Sequence, residues 1–467
     1  MTRNKNERPK AVSLFSGAGG LDIGVEDAGF EVRCAVEINE YAAKTLELNK
    51  WISNASMREF NAWFDEEGAA PYRSWSSDAV KRVRERIAQG VGKHAHVARC
   101  AVLQRDIRTV ASEEIAAASQ VRPGELDLLF GGPPCQSFSR AGQRQAVDDE
   151  RGQLFLEFVR IARDLKPRWI LFENVKGLIQ TKANVWRSRC SACGFEKVPP
   201  FDADAEVPEP DAASPRCGKC SSRKTSWRVE KQKPGGSLDW VQSAFERIGY
   251  RTVVFLLNAA DFGAPQRRER VFLLGTRDGE ELRMPTPMLS PDKHKTVWDT
   301  LFSARNPDHA WPLDPEKALL WVKNVVRPHD EPVTWSLNLP APTIGAHQGA
   351  KLAIAPNGVP EEQLKRQQWH VRGCRQGDTP PVPVDHSYLS DRDLLLLQTF
   401  PESWCLAGTR MERAFQIGNA VPPLLAKHVA RVLTSAEGTP VRTSSIVRAS
   451  SATRMDAATK QMTLFGG

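Results

Sequence analysis

Apolar runs alternate with amphipathic helical segments through the first 280 residues, and that rhythm restricts the fold more than any other feature of the sequence. KAVSLF (10–15), FEVRCAVE (30–37), CAVLQRD (100–106), LDLLF (126–130), RWILFENV (168–175), RTVVFLLNA (251–259) and ERVFLLGT (269–276) have the length and apolar content of buried strands. Segments 21–28, 39–50, 154–165 and 237–249 read as the helices between them. Such an order predicts an α/β domain whose parallel or mixed sheet carries helices on both faces. Ligands of these sheets sit at the carboxyl ends of strands. A single cysteine, Cys135, falls at such an end, inside GGPPCQSFS (131–139).

The rhythm breaks in places that outline the domains. With 467 residues the chain is too long for one ordinary domain. We expect a large domain over 1–280, interrupted by a polar helical insertion at 51–98 and a second insertion at 184–233. A Pro- and Trp-rich, irregular second domain follows at 281–405, and the chain returns to the large domain at 406–433 through a helix with Pro in its first turn, within FQIGNAVPPLLAKHVARVL (415–433). The Ser-, Thr- and Ala-rich remainder, 434–467, reads as a disordered tail. Within 281–405, PAPTIGAHQG (340–349) is the first place to look for contacts that select a sequence of bases.

The net charge is +8, with basic clusters at KRVRER (81–86), RSR (187–189), KCSSRK (219–224) and QRRER (266–270). Any one of these is an ordinary solvated face. Four together, in a chain with 13 tryptophans, favour a nucleic-acid partner. No run of 18 apolar residues suggests a membrane span, and MTRNKNERPK lacks the apolar stretch of a signal peptide. An intracellular protein with free thiols is therefore expected.

Several residues have the types and spacing that chemistry needs. In LFSGAGGLDIG (14–24), Gly17, Gly19 and Gly20 allow a tight turn and close approach of a ligand. Glu37, 20 residues after Gly17, is suited to ribose hydroxyls, and Asp106 to an adenine amino group. The third glycine of a dinucleotide fingerprint is replaced by Asp22. That favours a nucleoside without a pyrophosphate, such as S-adenosylmethionine, over NAD; a glycine turn without a ligand is the bland alternative. Glu173 ends an apolar strand, where burial raises a carboxyl pKa towards neutrality. Arg268 and Arg270 suit a carboxylate, a phosphate or a base carbonyl. For each of these motifs alone, a structural ion pair is an equal reading.

FSGAGG, GGPPCQSFS, FENV, QRRER and QIGNAVPP, in this order, with SDRDLLLLQTFPESW (390–404) before the last, resemble the cytosine-5 DNA methyltransferases. The resemblance implies a Rossmann-like, S-adenosylmethionine-dependent methyltransferase domain with a mixed sheet, plus a smaller irregular target-recognition domain. It implies double-stranded DNA as substrate and a cytoplasmic, nucleoid-associated bacterial protein serving a restriction-modification system. By resemblance, Cys135 is the thiolate that adds to C6 of a flipped cytosine, and Glu173 protonates or hydrogen-bonds N3. Arg268 helps hold the base carbonyl and positions Glu173, with Arg270 beside it. Gln136 and Ser139 support the extruded nucleotide and the closed loop. Phe15, Gly17, Gly19 and Gly20 line the methionine end of the cofactor, Glu37 takes the ribose, Asp106 with Ile107 the adenine, and Asn419 closes the pocket. The rival readings are a tRNA cytosine-5 methyltransferase of the same fold, a catalytically silent DNA-binding scaffold and, further off, a NAD-linked dehydrogenase.

Two features lie outside that pattern. CSAC (190–193) and CGKC (217–220) form two CxxC pairs, a strong signal for a structural zinc ion held by Cys190, Cys193, Cys217 and Cys220. Chance pairs or labile disulfides are the alternative. QMTLF (461–465) resembles the short peptide with which bacterial proteins dock on the replication sliding clamp. Gln461 would hydrogen-bond there, and Leu464 and Phe465 would fill an apolar pocket.

Overall fold

The computed structural model describes residues 7–72, 76–93, 95–134, 153–180, 182–194, 196–197, 217, 219–223, 225–302, 319–322, 334–346, 352–355, 387–441 and 447–448. The first part of the chain forms β1 (Lys10–Leu14), α1 (Gly20–Asp27), β2 (Glu31–Glu37), α2 (Glu40–Asn54), α3 (Met57–Trp63), α4 (Ser77–Ala88), β3 (Ala101–Gln104), α5 (Ser112–Ser119) and β4 (Leu128–Gly131). Next come α6 (Gln153–Leu165), β5 (Trp169–Val175), β6 (Lys182–Cys190), β7 (Glu196–Lys197), β8 (Thr225–Pro234), α7 (Gly236–Arg247), β9 (Arg251–Asn258) and β10 (Glu269–Thr276). The remainder forms β11 (Arg283–Met284), α8 (Val297–Leu301), β12 (Leu319–Val322), β13 (Thr334–Ser336), β14 (Leu352–Ala355), β15 (Ser387–Tyr388), α9 (Asp391–Leu397), α10 (Arg410–Asn419), α11 (Pro423–Thr434), β16 (Thr439–Pro440) and β17 (Val447–Arg448).

Eight strands make the main sheet, in the order β17-β9-β10-β5-β4-β1-β2-β3. The β3-β2-β1-β4-β5 portion is parallel, and β10 runs antiparallel to both β5 and β9. Strand order reverses across β1 and β4, which makes their carboxyl ends the switch point where a ligand fits. Alternate strand residues face opposite ways. Ala11, Leu128, Phe130, Leu171 and Phe272 join a cluster with Leu21, Ile23, Leu425 and Val429 of α1 and α11. Their neighbours Val12, Leu129, Ile170, Phe172 and Val271 join a second cluster with Phe155, Phe158, Val241 and Phe245 of α6 and α7. Both faces of the sheet are therefore covered, as the apolar runs require.

α1 and α11 pack without intervening side chains. A Cβ on Gly24 would stand 2.4 Å from both the Pro423 carbonyl oxygen and the Ala426 methyl. The helix with Pro in its first turn, expected within 415–433, is α11, and a separate helix precedes it. α10 stops at Asn419, Pro422 precedes the new first turn, and α11 starts at Pro423. Successive prolines remove the N–H groups and the φ freedom that a continuing helix needs.

Three expectations need correction. The 51–98 segment is more than a solvated face: Ile52, Phe60, Phe64, Val83, Ile87 and Val91 form a core of their own. Within KRVRER, Arg84 is held by Asn61 and by Asp65 at 2.9 Å. The return to the large domain comes before 406, because Phe400 and Trp404 already pack on the first turn at Gly20 and Gly19. The tail after 433 is ordered in part, since β16 pairs with β11 and β17 adds a parallel edge beside β9.

A four-stranded antiparallel sheet, β13-β12-β14-β15, lies within 281–405, and β7-β6-β8 forms a separate three-stranded sheet in the second insertion. Among the described residues no helix is long and apolar enough to cross a membrane.

Candidate active site

The strand ends β3, β2, β1, β4 and β5 follow one another along one edge of the sheet, and the candidate residues lie along it in the same order. Glu37 is the last residue of β2 and is buried. Its carboxylate accepts the Gly17 N–H at 2.7 Å and the Asn39 N–H at 2.7 Å. Burial raises the Glu37 pKa against the pull of these N–H groups. Asn39, which the sequence reading passed over, also caps α2 through the Ala42 N–H.

The glycines of the first turn answer two different needs. Gly17 has φ +55 and nothing within 4 Å of where a Cβ would point, so it borders open space. Gly19 and Gly20 are packing positions. A Cβ would meet Leu46 Cδ2 at 2.8 Å from Gly19, and the Val421 carbonyl oxygen at 2.4 Å from Gly20. Phe15 itself takes φ 56, and Trp404 closes the turn by donating Nε1–H to the Ala18 carbonyl at 3.1 Å.

Asp106 does not end a strand. β3 stops at Gln104, and Asp106 caps the short turn Ile107–Thr109 by accepting the Arg108 N–H at 3.0 Å. The Arg108 guanidinium pairs with the same carboxylate at 2.6 Å and holds its pKa below the ordinary value. Ile107 is buried beside it, while Asn419 is exposed at the end of α10.

At the other end of the edge stands Glu173, 9% exposed. Arg270 Nε lies 2.9 Å from its Oε1. Register explains the pair: Phe272 is opposite Glu173, so Arg270, two residues earlier, is the diagonal neighbour on the same face. Burial pushes the Glu173 pKa up, and the Arg270 and Arg268 charges oppose that shift. The guanidinium on Glu173 is thus that of Arg270, whereas the sequence expectation gave that position to Arg268.

Arg268 is fully buried and does something else. It donates Nη1–H to the Ile344 carbonyl at 2.9 Å and Nη2–H to the Gly418 carbonyl at 2.7 Å. Arg267 N–H donates to Ala341, and Thr343 Oγ1 donates back to the Arg267 carbonyl. A Cβ on Gly418 would stand 2.5 Å from Ala346. Residues 341–346 of PAPTIGAHQG are therefore stitched to the QRR segment and α10; 347–349 lie outside the described residues.

Two glycines bring the loop after β4 onto this site. A Cβ on Gly131 would lie 2.1 Å from the Leu14 carbonyl oxygen, and one on Gly132 would lie 2.5 Å from Glu173 Oε2. Asn174 Nδ2–H donates to the Pro133 carbonyl at 3.0 Å and fixes the loop one residue beyond that contact. Asn174 was not singled out in the sequence; its one signal was a second polar residue in an apolar strand. Cys135, Gln136 and Ser139 lie outside the described residues, as do Gln461, Leu464 and Phe465.

Away from this edge, the thiols of Cys190, Cys193, Cys217 and Cys220 lie within 4.8 Å of one another. Cys190–Cys220 and Cys193–Cys217 sulfurs are 3.6 Å apart. A disulfide needs about 2.05 Å. A tetrahedron with metal–sulfur bonds of about 2.3 Å has edges of roughly 3.8 Å, so the set matches a metal cage.

The profile of the C-5 cytosine-specific DNA methylase family matches residues 10–62, 96–195 and 228–435. The first matched stretch takes in α3 nearly to its end, the break after it leaves most of the 51–98 segment outside, and the second break contains Cys217 and Cys220. The type II methyltransferase M.AquIA of Picosynechococcus sp. is 32% identical over 282 residues, covering 60% of this chain and 77% of that protein. The type II methyltransferase M1.HphI of Haemophilus parahaemolyticus is 26% identical over 427 residues, covering 90% and 86%. The crystal structure of the S. pombe Dnmt2 methyltransferase shares the fold, with a TM-score of 0.50 at 16% identity over 91% of this chain and 99% of that one. With its motifs in family order along a sheet of that fold, the chain belongs to the C-5 cytosine-specific DNA methylases.

Proposed function

We propose that the protein methylates C5 of a cytosine flipped out of duplex DNA through a transient covalent bond from Cys135 to C6. The observation that carries this reading is the Glu173–Arg270 pair, seated directly under the Gly132–Pro133 turn that leads to Cys135. C5 of cytosine is a weak nucleophile; thiolate addition at C6 makes it enamine-like. Glu173, its pKa raised, would give a proton or hydrogen bond to N3 and offset the charge that develops there. Arg270 holds Glu173 in place. The target atom is inaccessible in the stack, so the base must leave it. S-adenosylmethionine supplies an electrophilic methyl group. Glu37 fits its ribose, and the open space at Gly17 and Phe15 fits its methionine end. Ile107 would flank the adenine. Asp106 would contact it only by sharing its carboxylate with Arg108, and Asn419 would close the pocket. Loss of the C5 proton and expulsion of the Cys135 thiolate would restore the ring double bond. Gln136 and Ser139 would support the closed loop.

The relatives' names support a place in restriction-modification, and such an enzyme would act in a bacterial cytoplasm beside the chromosome. The four cysteines fit a structural zinc, since four thiolates leave no open coordination position. Docking of Gln461, Leu464 and Phe465 on a sliding clamp rests on the peptide sequence; pull-downs with and without the residues after 460 test it.

The central test is methyl transfer from labelled S-adenosylmethionine to mixed-sequence duplex DNA or to total tRNA, with Cys135→Ser alongside. Label on DNA that is lost in the variant is the expected result. Label on tRNA alone would overturn the substrate, and no label with cofactor still bound would favour the silent scaffold.

A further inference from the structure

The turn after β3 is held from outside itself, carbonyl by carbonyl. The Asp106 carbonyl accepts the Thr109 N–H at 2.9 Å, and Arg105 donates Nη2–H to the Thr109 carbonyl at 2.8 Å. Arg160 of α6 reaches two more. Its Nη2 lies 3.2 Å from the Ile107 carbonyl oxygen and 2.9 Å from that of Val110. Glu157, one helical turn earlier, aims this guanidinium by accepting from Nε at 2.7 Å and pairing with Nη2 at 2.7 Å. Arg160 Nη1 also donates to Ser112 Oγ at 3.1 Å, at the start of α5.

α6 is a firm base for this grip. Phe155, Phe158 and Ile161 on its other side belong to the same apolar cluster as Ile107 and Val110. The side chains of the turn are thus packed with the helix, while Arg160 holds the backbone of the turn.

The fixed turn presents an acceptor beside a donor. Asp106 offers its carboxylate, and among the described residues nothing accepts the Ile107 N–H. This pair matches the edge of adenine, whose amino group donates and whose N1 accepts. Hypoxanthine carries a carbonyl oxygen and an N1–H at those positions, so acceptor would face acceptor and donor would face donor. The contrast depends on the angle of the turn, because hydrogen bonds weaken steeply when misaligned.

We propose that Arg160 is a positioning residue that gives the S-adenosylmethionine site its preference for adenine, by holding the Ile107 and Val110 carbonyls so that Asp106 and the Ile107 N–H meet the base together. The proposal rests on the reading of S-adenosylmethionine as cofactor. Both carbonyls are reached through one nitrogen, so a lysine ammonium, with three donors, can stand in for the guanidinium.

The test reads binding and not turnover. Full-length protein is titrated calorimetrically with S-adenosylhomocysteine and with S-inosylhomocysteine, the same molecule with hypoxanthine in place of adenine. Wild type is expected to favour the adenine form by about 100-fold or more, since the wrong base leaves polar groups of the site unpaired. R160Q should cut that ratio by about tenfold, the worth of one well-aligned charged hydrogen bond. R160K should restore most of it. A general loosening of the fold weakens both ligands alike, so an unchanged ratio in R160Q would overturn the proposal. If R160Q does not fold, E157A decides on the same ratio, because it keeps Arg160 but removes the carboxylate that aims it. A wild type that binds both compounds equally would also overturn it, as the turn then does not read the base. If wild type binds neither, the cofactor reading fails first and the role of Arg160 falls with it.

Discussion

Gly132 and Glu173 touch so closely that a single added methyl at Gly132 would sit 2.5 Å from the carboxylate oxygen. The glycine is the reason the cysteine-bearing turn can reach the acid. Gly132→Ala must push Glu173 off Arg270 or lift the turn. A displacement of about 1 Å in an active site costs about 100-fold in rate. We expect methyl transfer to fall at least that far, with S-adenosylmethionine affinity and melting temperature near wild type. Steady-state kinetics and calorimetry on the purified variant check this.

Asn174→Ala should loosen the same turn from the other side. It leaves the buried Pro133 carbonyl without its amide donor, a loss of about 1–3 kcal/mol. The expected result is a lower kcat with little change in cofactor binding, read by single-turnover kinetics. An unchanged kcat would mean that the tether does not position the loop.

Arg268 and Arg270 should separate cleanly. Arg270→Gln removes the larger of the two charges that restrain the Glu173 pKa. The pKa then rises further, so the alkaline limb of the rate profile moves to higher pH. Stability tied to the protonated form is present at low pH and is lost as pH climbs through the raised pKa. Arg268→Gln removes two charged hydrogen bonds to the Ile344 and Gly418 carbonyls, about 1.5–3 kcal/mol each. It should lower the melting temperature far more than Arg270→Gln does.

Asp22 provides a pH test of stability apart from catalysis. It is fully buried in α1, neither carboxylate oxygen has a hydrogen-bond partner of standard geometry, and burial raises its pKa to about 7. A raised carboxyl pKa gives stability that is complete below about 4, the unfolded value, and lost as pH rises through about 7. Asp22→Asn should therefore raise the melting temperature at pH 8 and have less effect at pH 5. Thermal scans across that range decide it.

The zinc reading predicts an equimolar metal content that falls in Cys193→Ser. β7-β6-β8 forms a sheet separate from the main one. Chelation should thus melt the hairpin locally while the main unfolding transition shifts by a few degrees at most.

The strands were legible because burial on both faces writes them as continuous apolar runs, and β10 was read to the residue. Arg268 and Arg270 were not separable, because only the register with β5 tells which guanidinium lies diagonal to Glu173. Gly20 packs on Val421 and Phe400, and Gly418 on Ala346, segments distant in sequence that no local pattern records. The stitching of 341–346 to the QRR segment was hidden for the same reason. Asp106 was misread as a strand end because capping by a short side chain looks, in sequence, like the close of an apolar run.

The glycine-to-backbone contact between α1 and α11 also has a consequence for synthesis. The apolar side of α1 is made at once, but its cover, near residue 423, comes some 400 residues later. At about 5–20 residues per second the nascent chain waits roughly 20–80 seconds with that face open. The early half of the protein is therefore dependent on chaperones, or on slow collapse with its own helices, until the last helix leaves the ribosome.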